Sequence, residues 1–170
     1  MTTFDLSRVK LRPGEQLRHE LGVELEPLLL AGQQYLPVPA LVAAELTVTK
    51  ASSGSVLELA FPVRLHGPCF RCLADAVLEL AIRSREYQAA KPGEDEELRS
   101  PYVVDDTLDL SSWARDALAL ELPDKILCRA DCAGLCAICG KDLNLEPHVH
   151  EEERSDPRWA ALEALRPESP

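Results

Sequence analysis

Six cysteines and two histidines, arranged in pairs, constrain this chain more than any other feature. Cys69 and Cys72 flank Phe70-Arg71. Cys128, Cys132, Cys136 and Cys139 form a second run, with Gly140 directly after the last, and His148 and His150 follow. Thiolate and imidazole are the donors zinc prefers, and structural zinc sites close with four of them. One C-x-x-C would say little. Two of them, one ending in C-G and with C-x₃-C spacing between, point strongly to metal. A Gly after the second Cys lets the backbone turn tightly under an ion while N–H groups face the sulfurs. Cys136-Ala137-Ile138-Cys139-Gly140 has that form; Cys69-Phe70-Arg71-Cys72 lacks the Gly.

The spacing leaves three pairings open. In the favoured one, Cys69, Cys72, Cys128 and Cys132 hold one Zn²⁺ while Cys136, Cys139, His148 and His150 hold another. In the second, a single ribbon-like site uses Cys69, Cys72, Cys136 and Cys139. In the third, one Cys₄ site forms within residues 128–139 alone, which leaves Cys69 and Cys72 without a role. The spacing does not match ferredoxin runs. A thioredoxin-like centre needs its C-x-x-C to open a helix after a strand, whereas the residues after Cys72 read as β and those after Cys139 as loop.

The rest of the composition removes other classes. Aromatic residues make up only 5% of the chain, too few for a base-stacking platform. No apolar run reaches the length of a membrane span, and Met1 to Arg12 lack an apolar leader core, so a cytoplasmic protein is expected. In that reducing compartment paired cysteines hold metal rather than structural disulfides. There is no phosphate-cradling Gly loop, no G-x-S-x-G and no H-E-x-x-H, and a thiolate-rich closed set lacks the open position of a catalytic zinc. A protein that is not an enzyme is expected, with no small-molecule substrate.

The net charge is −11. Residues 1–90 carry nine Lys and Arg against ten Asp and Glu; residues 91–170 carry nine against nineteen. Phosphate binding needs local positive charge, so any contact with RNA is expected from the first half. The candidates are Arg64, Arg71, Arg83 and Arg85, which flank the first cysteine pair and the strand leaving it.

Local patterning is mostly β. Leu21 to Leu25 alternates like a strand, and Pro27, Pro37 and Pro39 argue against long elements nearby. Val42–Thr49 and Val56–Leu65 read as strands joined by the Ala51-Ser52-Ser53-Gly54 turn, and Ala76–Tyr87 alternates again. The first cysteine pair then caps the tip between two strands. Lys91–Glu97 reads as a solvated loop and Tyr102-Val103-Val104 as a short strand. Asp109 looks like a helix N-cap before an apolar stripe of Trp113, Ala114, Ala117, Leu118 and Leu120, with Pro123 ending the helix near Leu122. Glu151–Glu153 reads as a linker. Asp156-Pro157-Arg158 opens a short helix with Trp159, Leu162 and Leu165 on one face.

Two stretches are distinctive: Pro68-Cys69-Phe70-Arg71-Cys72-Leu73, and Leu127-Cys128-Arg129-Ala130-Asp131-Cys132-Ala133-Gly134-Leu135-Cys136-Ala137-Ile138-Cys139-Gly140-Lys141-Asp142-Leu143-Asn144. With Asp156-Pro157-Arg158-Trp159 after them, residues 40–166 resemble the YceD family, the large ribosomal RNA subunit accumulation proteins. Many members carry a C-x-C pair after the second knuckle. Here His148-Val149-His150 stands in that place, an exchange that keeps zinc donors. The resemblance implies a role in accumulation or maturation of large-subunit ribosomal RNA, with that RNA, a large-subunit ribosomal protein, or both as partners. The alternative is an acidic chaperone for a basic large-subunit ribosomal protein. The expected fold is α+β: an antiparallel β-meander or partly open barrel with one main helix over residues 1–125, and a zinc-stapled C-terminal part with a short terminal helix over residues 126–170.

Overall fold

The two longest elements flank the turn that carries the first cysteine pair. The computed structural model describes residues 1–91 and 98–150. Most of the expected acidic loop, the Glu151–Glu153 run and the helix opening at Asp156 lie outside these residues. The chain divides into two units, Met1–Cys132 and a second from Ala133 onward.

The first unit begins with β1 (Thr3–Asp5), β2 (Gln16–Glu24), β3 (Leu28–Leu30), β4 (Gln33–Pro37) and β5 (Leu41–Lys50). Then come β6 (Gly54–Pro68) and β7 (Asp75–Ala89), fifteen residues each and paired antiparallel along their whole length. β8 (Val103–Val104), β9 (Thr107–Asp109) and α1 (Leu110–Glu121) complete it. The expected meander is present as β5–β6–β7. One edge of β6 carries β7. The other edge is shared: β5 pairs with Ser55–Ala60, and β4 pairs with Leu65 and His66. Pro62, which has no N–H to offer, sits in the gap between these two partners. β2 extends the sheet beyond β5 and β3 beyond β4, so the sheet order is β2-β5-β6-β4-β3 with β7 on the far side of β6.

The sheet therefore does not close into the partly open barrel that the strand pattern suggested. β2, β3 and β7 remain its margins, because β6 divides one edge between two partners. β3 and β4 also replace the irregular stretch expected around Pro27 and Pro37: the prolines cap the two short strands and do not prevent them.

Alternation decides the two faces. Leu57, Leu59, Phe61, Val63 and Leu65 of β6 are buried, as are Val42, Ala44, Leu46 and Val48 of β5. α1 covers this side against β2 and β7 with Leu110, Trp113, Ala114, Ala117 and Leu118. Asp109 is its N-cap, accepting from the Ser112 N–H at 3.0 Å. Leu120, assigned to the apolar stripe from sequence, is instead 87% exposed: two residues beyond Leu118 it points to the opposite side of the helix. Trp113 donates its indole N–H to Ser84 Oγ at 2.9 Å and stacks on Tyr102. Asp105 and Asp106, both at positive φ, form the two-residue turn between β8 and β9. Among the described residues no helix is long and apolar enough to cross a membrane.

Candidate metal centres

The β6–β7 hairpin ends in the first cysteine pair, and backbone hydrogen bonds shape that tip. Cys69 N–H donates to the Ala74 carbonyl at 2.7 Å, and Leu73 N–H donates to the Cys69 carbonyl at 3.0 Å. Leu73 takes a left-handed φ of 61° to close the turn. In the second unit Cys136 N–H donates to the Lys141 carbonyl at 2.8 Å and Gly140 N–H to the Cys136 carbonyl at 2.9 Å, with Gly140 at φ 72°. The two knuckles thus share one hydrogen-bond pattern. The likeness is hidden in sequence because Leu73 occupies the place where the second knuckle has Gly.

Two contacts bring the segment after α1 to the hairpin tip. Phe70 N–H donates to the carbonyl of buried Ile126 at 2.8 Å, and the Arg71 guanidinium donates to the Cys132 carbonyl at 2.7 Å. Lys125 lies 5.0 Å over the Phe70 ring. As a result Cys69, Cys72, Cys128 and Cys132 converge, their sulfurs all within 4.8 Å of one another. Cys69 and Cys132 Sγ are 3.8 Å apart, Cys72 and Cys128 Sγ 3.6 Å. Tetrahedral zinc with Zn–S bonds of about 2.3 Å places its sulfurs about 3.8 Å from each other. Cys69, Cys72 and Cys132 are buried; Cys128 is exposed.

The thiols are prepared unequally. Burial opposes charge on Cys69, but backbone N–H groups of Cys72, Cys128 and Arg71 outweigh it and lower the thiol to about 6. Cys128, though exposed as a residue, is pushed up to about 12 by desolvation of its sulfur within the cluster and by the neighbouring thiols of Cys72, Cys132 and Cys69. Four thiolates this close repel one another, so a cation is needed to ionise all of them.

Cys136, Cys139, His148 and His150 form the second group, again with donor atoms within 4.8 Å. Cys139 Sγ lies 3.1 Å from His148 Nε2. The other ring nitrogen, His148 Nδ1, faces the Glu146 carbonyl at 2.7 Å. That carbonyl can only accept, so Nδ1 carries the proton and Nε2 presents its lone pair toward the cysteines. Backbone N–H groups of Cys139 and Ile138 lower Cys136 to about 6. His150 Nε2 is buried without a hydrogen-bond partner, an unsatisfied state that a coordinated ion relieves. Of the three pairings left open by spacing, the structure brings together the donors of the two-site arrangement. Both groups could hold a metal ion.

The four arginines do not share one basic face. Arg64 Nε donates to Glu79 at 2.8 Å and Arg85 Nε to Glu58 at 2.9 Å, each across the β6–β7 register. Arg83 shares their outward face and forms no ion pair among the described residues. Arg71 is turned to the Cys132 carbonyl. Arg18 of β2 was not singled out from sequence. It lies on the same outward surface as Arg83 and Arg85, beside Glu45 and Glu58. The alternation Gln16, Arg18, Glu20 was the signal for it.

Among relatives, an uncharacterized protein of Mycobacterium tuberculosis (Rv2926c) is 36% identical over 174 residues, covering 98% of this chain and 83% of its own. An uncharacterized Mycobacterium leprae protein (ML1660) is 31% identical over 98% of this chain and 79% of its own. Bacillus subtilis YlbN, also uncharacterized, is 31% identical over 58% of each chain. No solved structure matches. Residues 57–166, which include both knuckles and both histidines, match the family of the large ribosomal RNA subunit accumulation protein YceD, and the chain belongs to that family.

Proposed function

We propose that this chain promotes accumulation or maturation of large-subunit ribosomal RNA as a non-enzymatic assembly factor of the cytoplasm, with zinc in both donor groups. The family description gives the process. The observation that supports a binding role over a catalytic one is the completeness of both donor sets. Each offers four protein ligands, which leaves a tetrahedral ion no position for a substrate. In this reading Cys69, Cys72, Cys128 and Cys132 hold the hairpin tip to the segment after α1, and zinc supplies the positive charge that lets all four thiols ionise.

Two direct partners fit the role, large-subunit RNA and a basic ribosomal protein. The pairing of Arg64 with Glu79 and of Arg85 with Glu58, within a chain of net charge −11, favours the protein. An arginine already matched to a carboxylate has little attraction left for phosphate. The test is binding of the full chain to large-subunit RNA and, separately, to basic large-subunit ribosomal proteins over a salt series. Glu58→Gln with Glu79→Gln frees both arginines. If RNA is the direct ligand, that double variant binds RNA more tightly and with a steeper salt dependence. If a basic protein is the ligand, the same variant binds it more weakly and RNA affinity stays low throughout. Retention of neither partner overturns the binding reading.

A further inference from the structure

We infer that the two centres are unequal: Cys136, Cys139, His148 and His150 form an exchangeable zinc site whose ion folds residues 133–150, while the four-cysteine site keeps its ion as long as the first unit stays folded. This rests on the zinc reading above and adds to it a division of labour between the sites.

The first site is assembled from distant parts of the chain. Cys69 and Cys132 are separated by 63 residues, and both are fully buried. For their sulfurs to part, the hairpin tip must separate from the segment after α1. That breaks the Phe70–Ile126 backbone bond and the Arg71–Cys132 contact, and it uncovers Ile126. Opening of this kind belongs with unfolding of the sheet and helix.

The second site is local in every respect. Its four donors lie within residues 136–150; Cys139 is exposed and Cys136, His148 and His150 are half-buried, with the His150 Nε2 atom itself enclosed. Between residues 133 and 150 the only buried residue is Gly134, which has no side chain to pack. Leu135, Ile138, Leu145 and Val149 are all exposed, Val149 to 95%. Among the described residues no apolar core holds this stretch together. Among the described residues the stretch is held by a short set of backbone bonds, the Leu135–Asp142 bridge, the Asn144 side chain accepting from Ala133 N–H and donating to Asp142, the exposed Lys141–Glu146 ion pair, and the donor group itself. A segment without a core folds when its ion binds and opens when the ion leaves. Because Cys139 is exposed and the stretch around the donors can open locally, a competing chelator can reach the ion while the first unit stays intact. The state of residues 133–150 then follows the supply of free zinc.

The experiment is a chelator challenge of the full chain loaded with two equivalents of zinc. Excess EDTA is added, retained zinc is counted over time by elemental analysis, and amide hydrogen exchange is followed in parallel. One equivalent should leave at least about tenfold faster than the other, with protection lost over residues 133–150 and kept in β5–β7 and α1. His148→Ala with His150→Ala should remove the fast equivalent and leave the slow one. Should that variant lose its overall fold, cobalt-loaded wild-type chain serves instead: after brief chelation its remaining charge-transfer spectrum should be that of four thiolates. Release of both ions at one rate overturns the inference, as does a two-thiolate, two-imidazole spectrum in the slow fraction. Failure to take up zinc at all overturns the zinc reading itself, and this inference with it.

Discussion

Cys69 and Cys132 bring their sulfurs to 3.8 Å although 63 residues separate them. A metal tie between them closes a long loop through the centre of the first unit. Closing such a loop restricts the unfolded chain, and bridging bonds of this kind contribute on the order of a few kcal/mol. Cys69→Ser should therefore lower the thermal midpoint of the whole first unit. His148→Ala lies in the local second site and should leave that midpoint nearly unchanged. Equal losses in the two melts would show that the core tie has been misplaced.

Leu73 supplies a second prediction. At φ 61° a branched side chain is strained by roughly 1 kcal/mol, and Leu73 is more than half exposed, so little packing offsets the strain. Leu73→Gly should stabilise the chain by about 1 kcal/mol in denaturant titrations. Gly140→Ala should act in the opposite sense on the second knuckle, although a Cβ there meets no neighbouring atom. A Leu73→Gly chain that is less stable would mean that the leucine side chain makes a stabilising contact.

Gly67 lies two residues before the first cysteine, where β6 passes under Tyr35. A Cβ at Gly67 would stand 2.3 Å from the Tyr35 ring and 2.9 Å from the Gln34 carbonyl. Tyr35 is buried, and its hydroxyl donates to the Pro68 carbonyl at 2.8 Å, so the ring cannot swing away freely. Gly67→Ala should cost about 1–3 kcal/mol by overpacking. Adding Tyr35→Leu should recover part of that loss, and a double-variant cycle measures the coupling.

The Trp113 indole N–H has Ser84 Oγ as its partner inside the helix–sheet layer. Ser84→Ala leaves that donor unsatisfied in a buried position, at a cost of about 1–3 kcal/mol. The unfolding midpoint should fall accordingly, while metal content stays the same.

Much of this architecture was legible from residue pattern. The alternation in Val42–Thr49, Val56–Leu65 and Ala76–Tyr87 is one-sided because α1 covers a single face of the sheet, and such strands carry a clear period of two. Their ends were underestimated. β6 runs on through His66, Gly67 and Pro68, residues with little strand preference that are held by pairing with β7. β3 and β4 were hidden by Pro27, Pro37 and Pro39, because Pro27 precedes the margin strand β3 and Pro37 falls at the last position of β4, where proline ends a strand without preventing it. Closure into a barrel was beyond reach of local pattern, since it depends on which strands share an edge of β6. The donor residues were all visible, but their grouping depends on Phe70, Arg71 and Ile126 bringing two remote segments together. The arginine positions were readable as outward-facing; their pairing with Glu58 and Glu79 required the register of β6 against β7.

The most direct test is the metal content of the folded chain, purified without chelator and measured by elemental analysis against protein concentration. Two closed four-donor sites predict two zinc ions per chain, falling to one in Cys136→Ser with Cys139→Ser. One zinc per wild-type chain, or iron in place of zinc, would contradict the account.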